Sequence, residues 1–112
     1  MNNASPEVLL ELFAVIRDRQ KNFVDGSYTC YLFEKGLDKI LKKVGEEAAE
    51  TIIAAKNGDN AEVTAEICDL IFHVLVMMAE LGIPLEDALN ELKIRADKQK
   101  NLKNIHKVDK DS

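Results

Sequence analysis

Tryptophan is absent from the 112-residue chain and aromatic side chains make up only 5% of it, so any core must be built from aliphatic residues. Proline occurs twice, at Pro6 and Pro84, which leaves the long stretch between them free of that helix breaker. The two cysteines, Cys30 and Cys68, lie far apart and form no CxxC pair. They are expected as the reduced thiols of a cytosolic protein. No basic region precedes the first apolar stretch: "MNNASPEVLLELF" carries acids inside it and is not a secretory signal. The longest low-charge run, Ile67 to Ala79, is broken by Asp69 and His73 and falls short of the roughly 20 residues that span a bilayer. A basic stripe is missing too. The formal charge of −5 argues against a nucleic-acid partner. These absences together point to a soluble, cytoplasmic protein with no membrane partner.

Period-2 alternation and Asn-Gly hairpin turns are also lacking, so no sheet is expected. What is present is helical. Ser5, Pro6 and Glu7 make a helix start, followed by Leu9, Leu10, Leu12, Phe13 and Ile16 at helical spacing to about Gln20. A turn at Asp25-Gly26 leads to a long second segment from about Thr29 to Lys56, which Gly36 can divide. Its apolar stripe runs through Leu37, Ile40, Leu41, Val44, Ala48, Ile52 and Ala55. Gly58 ends it, and Asp59 with Glu62 opens a third segment that runs to Leu81. A fourth follows Pro84 with Leu85, Ala88, Leu89, Leu92 and Ala96 facing inward. The reading is an all-α bundle of three to four helices in one domain, residues 1–97, with residues 98–112 a polar tail expected to fray.

The third segment is apolar nearly all the way round. Val63, Ile67, Leu70, Ile71, Val74, Leu75, Met77, Met78 and Leu81, with Phe72, Val76 and Ala79 elsewhere round it, would need cover on most sides, more than so short a chain supplies. A homodimer or higher homo-oligomer, joined near this helix, is the expected solution.

The break in that cylinder is one narrow strip: Glu62, Glu66, Asp69, His73 and Glu80. On the preceding segment Glu47 and Glu50 share an edge one turn apart, with Lys43 on the same edge and Glu46 further round. The short turn at Gly58 makes the two segments an antiparallel hairpin. Glu50 lies eight residues before Gly58 and Glu66 eight after, while Glu47 and Asp69 each lie eleven away. At about 1.5 Å per residue the pairs sit at matching heights. Four carboxylates meeting there cannot all stay ionised without compensation. Basic partners would supply it, and so would a hard divalent cation, Mg²⁺ or Mn²⁺, which takes all-oxygen ligands. Zinc would want His and Cys, and Cys68 points to another face. His73, one turn after Asp69, is expected as a hydrogen-bonded support rather than a ligand. Solvated helix edges carrying nothing remain the plain alternative, in which case the protein is a non-catalytic helical dimerisation module. A di-iron bundle is disfavoured, because it wants Glu-x-x-His on two helices.

Glu46-Glu47-x-x-Glu50 followed by Glu66-x-x-Asp69 resembles the signature of the all-α nucleoside-triphosphate pyrophosphohydrolase superfamily. "SYTCYLFEKGLDKILKKVGEEAAETIIAAKNGD" and "EICDLIFHVLVMMAELGIPLEDALNEL" are similar, more narrowly, to the phosphoribosyl-ATP pyrophosphohydrolase family. That resemblance implies hydrolysis of the α–β phosphoanhydride of a small nucleotide substrate, phosphoribosyl-ATP, to phosphoribosyl-AMP and pyrophosphate, the second step of histidine biosynthesis. It implies Mg²⁺ on Glu47, Glu50, Glu66 and Asp69, with Glu46 acting on water or supporting the ligands. It makes Lys42, Lys43 and Lys56 phosphate contacts, and it implies a homo-oligomer. The same chemistry on dUTP or a non-standard dNTP is the alternative. Cys30 and Tyr31 depart from the family pattern, where a small residue and a lysine are expected.

Overall fold

The computed structural model describes residues 4–101. All regular structure in that range is helical: α1 Val8–Lys21, α2 Tyr28–Lys35, α3 Leu37–Asn57, α4 Asn60–Leu81 and α5 Leu85–Lys100. The all-α bundle is as expected, and the described residues form five helices rather than three to four because Gly36 divides the long second segment completely. Its backbone takes φ 91° and ψ −174°, a conformation that side chains with a Cβ scarcely reach. Gly36 N–H donates to Leu32 C=O at 3.0 Å and closes α2, while Ile40 N–H donates to Gly36 C=O at 3.2 Å and starts α3.

Three further boundaries have a local cause. Ser27 accepts the Cys30 N–H at 3.2 Å and caps α2. Gly58 turns left-handed at φ 78° and donates to the carbonyls of Ala54 and Ala55. Asp59 then accepts the N–H groups of Ala61 and Glu62 at 3.0 and 3.2 Å. That glycine and aspartate fold α3 back on α4 as the antiparallel hairpin.

The core gathers Phe13 and Ile16 of α1, Leu32 of α2, Ile40 of α3, Leu75, Val76, Met78 and Ala79 of α4, and Leu85. Gln20 Nε2 donates to Ala79 C=O at 3.1 Å and ties the end of α1 to the same helix. The enclosed residues of α4 lie in its second half; Ile67 and Ile71, and Leu81 at its end, stay at the surface. On α3, Ile40 and Ala54 are buried, while Leu41, Ile52 and Ile53 are exposed. Of the expected stripe, Ile40 enters the core and Leu37, Val44 and Ala48 are half-buried, whereas Leu41, Ile52 and Ala55 face away from it.

α5 differs from expectation. It diverges from α4 by 119°, after the left-handed Gly82 and the extended Pro84, and leaves the bundle. Leu85 is buried and Ala88 and Leu89 half-buried, but Leu92 and Ala96 are exposed rather than inward. Lys98 to Lys100 are helical, whereas fraying was expected there, and residues 102–112 of the expected tail lie outside the described residues. No single described helix is long and apolar enough to cross a membrane.

Two glycines give opposite expectations. A Cβ at Gly36 meets no atom within 4 Å, yet the backbone conformation resists it, so Gly36→Ala should cost about 1–3 kcal/mol. Gly45 sits inside α3 with ordinary helical geometry and open space, so Gly45→Ala should gain about 0.5–1 kcal/mol. Urea unfolding of both variants measures the two signs. Equal effects would contradict the assigned role of Gly36.

Candidate functional site

The hairpin brings carboxylates of α3 and α4 together. One oxygen each of Glu47, Glu66 and Asp69 lies within 4.8 Å of the others. Glu47 is only 5% exposed, Glu66 is half-buried and Asp69 faces solvent. The geometry places three of the four anticipated acids in one cluster. Glu50 is exposed and lies outside that group, close enough for its charge to act on Glu66.

Glu66 carries the strain of the arrangement. Its Oε1 is buried with no hydrogen-bond partner among the described residues. Its carboxyl is held above the ordinary value, first by desolvation, then by the charges of Glu50, Glu47 and Asp69, and by Glu47 as an acceptor for its protonated form. An acceptor-only oxygen kept from water beside other anions is stabilised by a proton or by a cation.

Lys43 is the basic partner that the structure supplies. Its Nζ lies 3.5 Å from Glu46 and 3.6 Å from Glu47. Desolvation works against its charge, but Tyr28, Glu47 and Glu46 outweigh that and hold the ammonium above its ordinary value. Glu46 is exposed and sits outside the carboxylate cluster, bonded to Lys43 instead. Lys42 and Lys56 are also exposed. At about 100° per residue both lie well round the helix from Glu47.

His73 is buried and doubly bonded. A carbonyl can only accept, so Nδ1–H donates to Asp69 C=O at 2.7 Å, and Nε2 pairs with the Tyr28 hydroxyl at 2.9 Å. Both ring nitrogens are engaged, as expected of a support rather than a ligand. Tyr28 was missed in the sequence. Desolvation first, then Glu47, Tyr31 and Asp69, raise its phenol above the ordinary value against the opposing pull of Lys43, which places the ring beside the acidic cluster. Its only signal was a hydroxyl-bearing aromatic at the start of α2; the partner stands 45 residues away. Cys68 is exposed and Cys30 is buried, its Sγ–H directed at the Arg19 carbonyl.

A family profile described as phosphoribosyl-ATP pyrophosphohydrolase matches residues 9–96. A phosphoribosyl-ATP pyrophosphatase of Clostridium botulinum is 55% identical over 101 residues, covering 90% of this chain and 92% of that one. One from Pelotomaculum thermopropionicum is 53% identical over 93 residues, 83% and 95% of the two chains. The histidine biosynthesis bifunctional protein HisIE of Thermoanaerobacter pseudethanolicus is 62% identical over 85 residues, 76% of this chain but 39% of that longer protein.

The strain at Glu66 has a measurable sign. A carboxyl whose value is raised on folding binds its proton more tightly folded than unfolded. Its contribution to stability is therefore fully present below the unfolded value, near 4.5, and is lost as pH climbs through the raised one. In chelator, Glu66→Gln should melt higher than the wild type at neutral pH, and the gap should shrink toward pH 4.5. Thermal unfolding across that range checks it. A gap independent of pH would contradict the strain.

Proposed function

The chain belongs to the phosphoribosyl-ATP pyrophosphohydrolase family, and from that premise we propose that it hydrolyses phosphoribosyl-ATP to phosphoribosyl-AMP and pyrophosphate, the second step of histidine biosynthesis. The observation that carries the reading to a site is the meeting of Glu47, Glu66 and Asp69 oxygens within 4.8 Å. The donor set fits a hard divalent cation. It is all oxygen, and the unpartnered Oε1 of Glu66 has the lone pairs a cation would take. Glu47, Glu66 and Asp69 would hold Mg²⁺, or Mn²⁺, with Glu50 the fourth carboxylate at the rim. When bound, the ion supplies charge stabilisation to phosphate oxygens and acidifies water.

The chain's own groups do the rest. Lys43 brings a fixed positive charge to the edge of the cluster and is the phosphate contact that the geometry favours. Glu46 orients that ammonium through its 3.5 Å contact and, being exposed, is also free to accept a proton from water. Lys42 and Lys56 are proposed as outer phosphate contacts, reached from solvent. The buried Glu47 keeps the α3 side of the cluster in place. His73 and Tyr28 lock α2 to α4 behind Asp69.

A homo-oligomer belongs to the same reading. Ile52 is 65% exposed and Ile53 58%, and Ile67 and Ile71 stand one turn apart on α4. Side chains of that size on both arms of the hairpin are suited to cover by a second copy. Free thiols and a metabolite substrate are in keeping with the cytoplasm.

With Mg²⁺, the protein should release pyrophosphate from phosphoribosyl-ATP, and a panel including dUTP and modified dNTPs tests the choice of substrate. Turnover of a dNTP without turnover of phosphoribosyl-ATP would overturn that choice. Glu47→Gln and Asp69→Asn should each lower kcat/KM by roughly two to three orders of magnitude, the scale of several kcal/mol lost at a metal centre. Unchanged activity in both would leave the acids as a solvated helix edge.

A further inference from the structure

Beside the acidic cluster lies an aromatic face whose exposed rings the hydrolytic reading leaves without a ligand. Tyr28 and Tyr31 stack with ring centroids 6.1 Å apart at 24° and are 45% and 38% exposed. Two ammonium groups converge on the outer ring: Lys35 Nζ at 5.8 Å and Lys39 Nζ at 5.9 Å from the Tyr31 centroid. Lys35 ends α2 and Lys39 lies in the first turn of α3, so the bend at Gly36 is what brings both to one ring. The inner ring is fixed. Tyr28 bonds His73 at 2.9 Å and packs on Phe72 with centroids 6.1 Å apart. Along α3 the order is Lys39, Lys43, Glu47, each four residues on, so Lys39 lies about 12 Å along the helix axis from Glu47, with Tyr28 between the two ends beside the cluster.

We propose that Tyr31 and Tyr28 receive the purine of the substrate and that Lys35 and Lys39 take the phosphate of its N-linked ribose, which makes this face the determinant of specificity. The assignment rests on the nucleotide-hydrolase reading of the carboxylate cluster. Exposed aromatic rings bind bases through their faces without regard to hydrogen-bond pattern. Exposed cation–π contacts are weak enough to yield to an incoming anion. A nucleotide with anionic groups at both ends matches the layout: a cation site at the triphosphate end, then rings, then two ammonium groups. ATP, lacking the second phosphate, would leave the lysines unused.

Steady-state kinetics on the full chain with Mg²⁺ test this. Tyr31→Ala should raise KM for phosphoribosyl-ATP roughly tenfold at nearly unchanged kcat, the size of one base–aromatic stack. Tyr31→Phe should restore KM, whereas Tyr31→Leu should not. The double variant Lys35→Ala/Lys39→Ala should raise KM for phosphoribosyl-ATP but leave the inhibition constant of ATP, measured as a competitor, the same as in the wild type. A wild type inactive on phosphoribosyl-ATP would sink the parent reading. An active wild type with unchanged KM in Tyr31→Ala would sink this one alone. It is equally overturned if Tyr31→Ala shifts the sedimentation coefficient toward a smaller species, since the face then joins copies of the chain.

Discussion

Mutual repulsion of acids held at one height on a two-helix hairpin is the constraint on which the rest depends. The Gly58-Asp59 turn sets the register of α3 against α4. That register puts Glu47 opposite Glu66 and Asp69, with their oxygens inside 4.8 Å. A hairpin chosen for stability alone would place lysine opposite glutamate here. Instead the compensation is partial: one ammonium, on the α3 side, shared between Glu46 and Glu47. Glu66 is left with a buried oxygen that has no hydrogen-bond partner among the described residues, and folding retains that cost.

Much of the remaining structure holds this unfavourable arrangement still. The enclosed half of α4, from Phe72 onward, anchors the helix against α1, α2 and α3, so the acidic half cannot swing away from α3 to relieve repulsion. His73 marks the boundary between the two halves and bonds in both directions, to the Asp69 carbonyl and to Tyr28 of α2. The division at Gly36 separates α2 from α3, so that α2 can supply Tyr28 to α4 while α3 supplies Lys43 and Glu47. Preorganised charge of this kind is poor for stability and well suited to binding a cation together with a polyphosphate.

Reading the sequence reached the helical class, the hairpin and the matching heights, because turn chemistry and a rise per residue are local properties. The family resemblance rested on the same two acidic motifs and on the stretch around "LFEKGLDKILKK". What stayed hidden depended on angles between helices. Glu50 shares an edge with Glu47, but how each helix is rotated about its axis decides which three acids converge, and counting residues is blind to that rotation. Leu92 has the spacing of a core residue and is 60% exposed, because α5 turns off the bundle after Pro84. Leu41 and Ile52 have core spacing too and lie on the outside of the hairpin; apolar periodicity marks a face to be covered without saying by what. Tyr28 and His73 belong to different helices and share no period at all.

The central claim is that the strained acids are a cation site rather than a solvated edge. Its most direct test is calorimetric titration of Mg²⁺ into the protein with a non-hydrolysable nucleotide present, wild type against Asp69→Asn. The account predicts saturable binding by the wild type and its loss in the variant. Equal binding by both, or none by either, would contradict it.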